Sequence, residues 1–426
     1  MRKGEEMKVK VREANVEQVL AIKPKKKMVK KPNILFRTLL KIVSIPDLLA
    51  VKFKCEKIGM EKLGKKEQCL ILMNHSSFID FEILSSIFYP RPINIVTTFD
   101  AFIGKDWLLR QIGCLETKKF TTGAGLLRDM SYALKKLKTS ILMFPEAGYS
   151  LDGRATVLPD SLGKCLKFFN VPVVTVITDG AFARQPLYNN LRKRKVPVTA
   201  KVEYLLSPED IKNKSVEELN AIIREKFSFD NFKTQKENGL VIADEHRAEG
   251  LHRVLYKCPN CLKEGKMIGA GTRVTCKNCQ KEYELTELGE IQAVGAGTEF
   301  SSIAKWVDWE RECVKKELEE GKYALNEPVD IRIMVDTKTI YTVGEGTLKH
   351  DENGFVLTGC DGKLDYRQAA TAIYTINADF YWYQIADTVN IGDLNAQYFC
   401  FPKSEEVSVF KVRLATEELY KLKKSK

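Results

Sequence analysis

The stretch from Cys69 to Leu84, CLILMNHSSFIDFEIL, constrains this chain more than any other. Cys69-Leu70-Ile71-Leu72-Met73 is a short apolar run of the kind that forms a fully buried strand. Asn74-His75-Ser76-Ser77 is a polar turn. From Phe78 the apolar positions (Phe78, Ile79, Ile83, Leu84, Ile87) take a helical spacing. A buried strand therefore delivers His75 at its carboxyl end, and Asp80 follows in the first turn of the next helix. In open α/β sheets, ligands bind at the carboxyl ends of the strands. A neutral imidazole there can take a proton from a hydroxyl while a carboxylate holds its other nitrogen. Ser77-x-x-Asp80 also fits a capping box, which gives Asp80 a purely structural reading.

A chain of 426 residues should hold two or three domains. It has no run of about 18 uninterrupted apolar residues, so no transmembrane helix is expected. Nor does it open with a charged-then-apolar signal pattern, and secretion is not expected. The net charge of +12 favours acidic partners. Four of the eleven cysteines form a metal pattern and Cys69, Cys165 and Cys400 sit among apolar neighbours, which points to a reducing, cytosolic compartment.

Residues 1–32 are Lys-rich and read as a mobile basic arm, with a polybasic run suited to anionic lipid. An apolar helix follows (Leu35, Phe36, Leu39, Leu40, Ile42, Val43, Ile45), which Pro46 should end or kink. It reads either as an interfacial membrane anchor or as a helix docked on the core. Residues 66–205 then alternate strands (Gln68–Met73, Ile93–Thr97, Ser140–Phe144, Val171–Ile177, Thr199–Leu206) with helices (Ile79–Phe88, Lys105–Ile112, Gly123–Leu137, Ser161–Phe169), the pattern of one α/β sheet domain. The strand Ser140–Phe144 ends in a second elbow, Phe144-Pro145-Glu146-Ala147-Gly148-Tyr149, which should place Glu146 at the same sheet edge as His75. Lys118 and Lys119 precede the helix Gly123–Leu137, for which Thr121 or Thr122 could serve as cap; lysines beside a helix start suit a phosphate.

Together these segments resemble the glycerolipid acyltransferase family. Asn74-His75-Ser76-Ser77-Phe78-Ile79-Asp80 is similar to its Asn-His-x-x-x-x-Asp motif, Phe144-Pro145-Glu146-Ala147 to its Phe-Pro-Glu-Gly, and Val171-Pro172-Val173-Val174 to its Val-Pro-Val-like strand. A looser likeness lies in Leu108–Leu115, and the resemblance covers about residues 35–210. It implies that His75 is the general base and that Asp80 orients it. It implies an acyl donor, acyl-CoA or acyl carrier protein, and a lysophospholipid acceptor such as 1-acyl-glycerol-3-phosphate. It also implies Asn74, Lys118, Lys119, Glu146 and Arg154 as substrate-binding residues. Three departures stand out: Ala147 replaces the usual glycine, Tyr149 falls where the family has arginine, and Lys118-Lys119 stand where it offers arginine. Lysine lacks arginine's bidentate fork.

Residues 207–252 read as a connector, with His246 and His252 as surface or packing residues. Then Cys258-x-x-Cys261 and Cys276-x-x-Cys279, fourteen residues apart, give four thiolates for tetrahedral zinc in a small ribbon. A closed set of four cysteines makes that zinc structural. The ribbon's lysines are offset by glutamates and stacking aromatics are scarce, so nucleic acid is not the expected partner. A helix from Phe300 leads to strands at Val329–Val335, Thr339–Val343, Phe355–Thr358, Ala372–Ile376, Phe380–Ile385 and Ala396–Phe401, with a hairpin turn at Asp351–Gly354 and a last helix Thr416–Lys424. Strands closed by one helix resemble a pleckstrin-homology-like module.

The expected architecture is multidomain: a basic arm (1–32), an α/β acyltransferase domain (33–235), a connector and zinc ribbon (236–299), and a helix plus β-rich C-terminal domain (300–426). The expected function is acyl transfer in phospholipid biosynthesis, with the protein cytoplasmic and peripheral on the inner, anionic membrane face. The alternatives are a dead lipid-binding scaffold and a zinc-ribbon nucleic-acid binder.

Overall fold

The computed structural model describes residues 11–24, 26–119, 123–295 and 297–424. Strand β1 (Val11–Glu13) and helix α1 (Val16–Leu20) open the described chain. They are not a mobile arm: β1 pairs in parallel with the β-rich C-terminal region, Val11 opposite Ile340, and Val16 and Val19 are buried. Apolar residues at 16 and 19 sit one helical turn apart, which is enough to dock so short a helix. Further on, Lys26 and Lys27 pair with Asp129 and Asp106 at 2.7 and 2.5 Å. The segment thus runs as a strap from the C-terminal region to the α/β domain.

Helix α2 (Ile34–Ala50) continues through Pro46 rather than ending there. One face, with Phe36, Leu40 and Leu48, packs on the domain core. The other exposes Leu35, Leu39, Ile42, Val43 and Leu49. Beyond it lie β2 (Lys54–Ile58), β3 (Leu70–Met73), α3 (Ile79–Phe88), β4 (Ile93–Thr98), α4 (Asp106–Gln111), β5 (Cys114–Thr117), α5 (Ala124–Tyr132), β6 (Ser140–Met143), α6 (Leu162–Phe169), β7 (Val173–Asp179), the one-turn α7 (Ala181–Arg184) and β8 (Thr199–Leu206). The strands form one sheet in the order β2-β8-β7-β3-β6-β4-β5. The five from β7 to β5 are mutually parallel, and β8 runs antiparallel to β7. Apolar clusters fill both faces of the sheet, which is why β3 reads as an unbroken apolar run. The sequence reading missed β2 and β5: Lys-Cys-Glu-Lys-Ile and Cys-Leu-Glu-Thr are edge strands, too polar and too short to show a period.

Helices α8 (Pro208–Asn213) and α9 (Val216–Lys226) each start with a capping box, on Ser207 and Ser215, and α10 (Asn231–Glu237) follows. The four antiparallel strands β9 (Met267–Ala270), β10 (Arg273–Cys276), β11 (Glu282–Leu285) and β12 (Ile291–Ala293) make the ribbon. Helix α11 (Ile303–Glu319) leads to β13 (Leu325–Met334), β14 (Ile340–Asp351), β15 (Gly354–Gly359), β16 (Leu364–Ala369), β17 (Asn377–Trp382), β18 (Ala386–Gly392) and β19 (Gln397–Pro402), and α12 (Val409–Lys424) closes the chain. The sheet order β16-β15-β14-β13-β19-β18-β17 sets four strands and three strands side by side.

Two strand expectations here are corrected. Ala372–Ile376 is irregular, held by side chains such as the Thr375 hydroxyl donating to Glu417 at 2.7 Å rather than by a ladder. Residues 383–385 turn away from β17. Strands β16 and β18, with sequences LDYRQA and ADTVNIG, carried no clear alternation and were missed. One continuous apolar core joins the ribbon to the C-terminal region and reaches Leu151, Phe182 and Tyr188 of the α/β domain.

Candidate active site

Strands β3 and β6 are parallel neighbours, so the turns after them lie together. The amide of Ser150 donates to the His75 carbonyl at 3.0 Å, tying the second turn to the first. His75 Nδ1 lies 3.0 Å from Asp80 Oδ2. That oxygen also accepts the Ser76 and Ser77 amides at 2.7 and 3.1 Å. Asp80 is therefore an acceptor, Nδ1 carries the hydrogen, and the lone pair for taking a proton sits on Nε2. The two readings of Asp80 coincide: the carboxylate holds the turn's amides and the imidazole at once.

The His75 ring is clamped between Phe144 and Tyr149, with centroids 3.9 and 3.8 Å away and near-parallel planes. Burial lowers the His75 pKa, the Asp80 hydrogen bond and charge push back, and Lys119 lowers it further. Tyr149 is thus a stacking partner of His75. Ala147 takes φ +53°, a left-handed conformation natural for glycine. The turn keeps its shape with alanine and bears the strain.

His75 opens on a cavity of about 1570 Å³. Phe81, Ile95, Leu109, Leu126 and Met143 give it apolar walls; Lys118 and Lys119 line it as well. Lys118 Nζ donates to the Leu394 carbonyl at 2.6 Å, and Lys119 Nζ to Asn377 Oδ1 at 2.8 Å. Thr121 and Thr122, the expected caps, lie outside the described residues.

Three of the expected substrate-binding residues are placed elsewhere. Asn74 is fully buried: its Oδ1 accepts the Thr178 amide at 2.8 Å, and its Nδ2 donates to the Thr178 carbonyl at 3.1 Å. It fastens β3 to β7. Glu146 is 1% exposed, with Oε2 accepting the His75 amide at 2.8 Å and Oε1 the Thr156 amide at 3.1 Å. Burial pushes its carboxyl up to about 7 while the two amides pull it down. Both oxygens are spent on bracing the turn that carries the base. Arg154 pairs with Asp152 at 2.9 Å and Asp308 at 2.6 Å, on a smaller cavity. A cation reads as a ligand contact in sequence until its carboxylate partners, here partly on α11, are located.

The wall that sequence reasoning missed belongs to the C-terminal region. Tyr374, Asp379, Phe380, Tyr381 and Tyr383 line the same cavity as His75. The aromatic run Phe380-Tyr381-Trp382-Tyr383 was the available signal, and it reads equally well as a plain strand.

The four thiols of Cys258, Cys261, Cys276 and Cys279 lie within 4.8 Å of one another. Tetrahedral zinc with bonds of about 2.3 Å sets sulfurs about 3.8 Å apart. The Cys258–Cys279 and Cys261–Cys276 sulfurs are 3.7 Å apart, which fits. Each knuckle is closed by a left-handed residue, Leu262 and Gln280, whose amides return to the Cys258 and Cys276 carbonyls at 2.9 Å. The histidines lie outside this group: His252 Nδ1 accepts the Gly269 amide at 3.0 Å, and His246 pairs with Glu249 at 3.1 Å.

A His–Asp pair at the strand ends of an α/β sheet, facing a large part-apolar cavity, is an arrangement that can take a proton from a hydroxyl. Residues 54–179 match the model of the family described as Acyltransferase, and this segment is an acyltransferase-family domain. No curated protein matches the chain. Among solved structures it is similar to the 1-acyl-sn-glycerophosphate acyltransferase PlsC of Thermotoga maritima, at 19% identity over 45% of this chain and 76% of that one, with a TM-score of 0.34.

Proposed function

We propose that this protein is an O-acyltransferase that moves a fatty acyl group from acyl-CoA or acyl carrier protein to a lysophospholipid hydroxyl, with 1-acyl-glycerol-3-phosphate the first acceptor to test. The observation that carries this is the 3.0 Å pair of His75 Nδ1 and Asp80, oriented by two rings and two amides at the cavity wall. His75 Nε2 takes the acceptor hydroxyl proton. The alkoxide attacks the thioester carbonyl; a C–O bond forms, the C–S bond breaks, and the imidazolium returns its proton to the departing thiolate. Asp80 keeps the ring oriented and stabilises the imidazolium. No acyl-enzyme is needed. Lys118 and Lys119 are the cations offered to a phosphate. Glu146 and Asn74 hold the turn rather than the substrate.

The outward face of α2 supports membrane docking. Phe36 packs edge-on against Trp107 of α4 at 5.3 Å, and Trp107 is 65% exposed. Leu109 of α4 and Lys105 just before it line the cavity, so the apolar face lies beside it. None of the described helices is long and apolar enough to cross a membrane. The fitting role is a helix lying on an anionic bilayer. The zinc ribbon and the β-rich C-terminal domain then serve as structural supports of the site, the latter as its second wall.

The test is acyl transfer from labelled acyl-CoA to 1-acyl-glycerol-3-phosphate on vesicles, for wild type and His75→Ala. Loss of the base should lower the rate by about two to four orders of magnitude. Equal inactivity of both folded proteins toward lysophospholipid acceptors, with acyl carrier protein as well as acyl-CoA, would leave the scaffold reading.

A further inference from the structure

The wall facing His75 contains carboxylates that the reaction above does not use. Asp100 and Asp379 both line the cavity. Asp100 is 7% exposed; its Oδ2 receives only a long 3.4 Å contact from Trp382 Nε1, and its Oδ1 has no partner among the described residues. The Tyr383 hydroxyl donates to the Asp100 backbone carbonyl at 2.8 Å, which pins the C-terminal wall to the α/β domain at this point. Asp379 has Lys119 as a neighbouring cation, yet burial and the charges of Asp100 and Asp387 hold its carboxyl up, at about 6. Arg253 pairs with Asp387 at 3.0 Å, so Lys119 is the neighbouring cation left for Asp379. Tyr149 and Tyr383 stand near both carboxylates, and Tyr381 lines the same cavity. Tyr381, Tyr383 and Gln384 adopt φ of +52°, +48° and +61°, so this wall is held in a strained conformation by its surroundings. Aromatic faces beside buried carboxylates are the chemistry that receives an ammonium group.

We propose that the C-terminal wall selects the acceptor, and that Asp379 and Asp100 with the surrounding tyrosines receive an ammonium group carried on the acceptor's headgroup. Lys118 and Lys119 then meet the phosphate of the same molecule. This inference rests on the acyl-transfer reading and narrows its acceptor to an amine-bearing lysophospholipid.

The experiment is an acceptor panel with the full chain, acyl-CoA and mixed vesicles. The panel holds lysophosphatidylethanolamine, lysophosphatidylcholine, lysophosphatidylglycerol and 1-acyl-glycerol-3-phosphate, for wild type and Asp379→Asn. The expected result is a wild-type kcat/KM at least about tenfold higher for one of the two ammonium-bearing acceptors than for both amine-free ones, with that ratio falling about tenfold in the variant. Ethanolamine over choline would mark hydrogen bonding to the carboxylates; choline over ethanolamine would mark the rings. A wild-type preference for the amine-free acceptors, or an unchanged ratio in Asp379→Asn, overturns the inference while leaving acyl transfer standing. If Asp379→Asn does not fold, the wild-type ranking decides alone. If wild type acylates nothing, the acyl-transfer reading fails. Calorimetric titration of short-chain lysophosphatidylethanolamine against lysophosphatidylglycerol then decides the ammonium site separately, equal binding overturning it.

Discussion

Glu146 shows how a single buried side chain braces a neighbour's turn. Its two oxygens each accept one buried amide, from His75 and from Thr156. Glu146→Gln keeps the shape but turns an NH₂ group toward one of those amides. A buried donor left facing a donor should destabilise the fold by about 1–3 kcal/mol, read as a shift in the denaturant midpoint. Activity should fall as well, because the turn that carries the base loses a brace. The pH profile tests the base itself. Burial lowers the His75 pKa, so the ring stays neutral below the ordinary histidine range. The acid limb of kcat/KM should therefore lie below about 6.5, activity falling only as pH drops through the lowered value. An acid limb above that, unchanged in Glu146→Gln, would contradict His75 as the base.

At the scale of elements, α2 is the one whose two faces answer to different surroundings. Its inward face packs on the sheet domain, while Leu39 and Val43, one turn apart, point outward. Placing glutamate at both should leave folding intact and cut sedimentation with anionic vesicles at least tenfold, since each buried apolar side chain contributes about 1.5–3 kcal/mol. Unchanged vesicle binding would show that α2 is not the docking face. The two elbows after β3 and β6 were legible in the sequence because each is a short apolar run followed by a polar turn. The edge strands β2 and β5 were not, because an edge strand has one neighbour and little to bury. Pro46 is expected to end or kink its helix, and α2 continues past it to Ala50 with its inner face packed on the core.

Across the whole molecule, the ribbon and the cavity are coupled through one core. Cys258, Tyr283 and Trp306 belong to the same apolar cluster as Leu151, Phe182 and the interior of the C-terminal sheet. The four thiols are placed to hold a zinc ion, which would add folding free energy to the ribbon's end of that core. Cys276→Ser, or removal of zinc by a chelator, should therefore lower the unfolding temperature of the whole protein and reduce acyl transfer, although the cysteines take no part in the reaction. Calorimetry together with zinc analysis reads the first effect, and the vesicle assay the second. An unshifted transition after complete metal loss would show the ribbon to be an independent unit.

The amino-acid sequence by itself determined what is local. His75 and Asp80 lie five positions apart, each Cys-x-x-Cys knuckle closes within one turn, and the alternation of strands and helices is written in their apolar periods. In each case the chemistry and the chain spacing are the same fact. Only the tertiary structure decided what depends on distant partners. Arg154 is drawn off by Asp308, the strap of residues 11–20 docks on β14, and Tyr149 becomes a clamp on the base. Tyr374 and residues 379–383 become the second wall of a cavity that His75, some three hundred residues earlier, also lines. No local pattern encodes such meetings, because they follow from how whole domains bury their surfaces against one another.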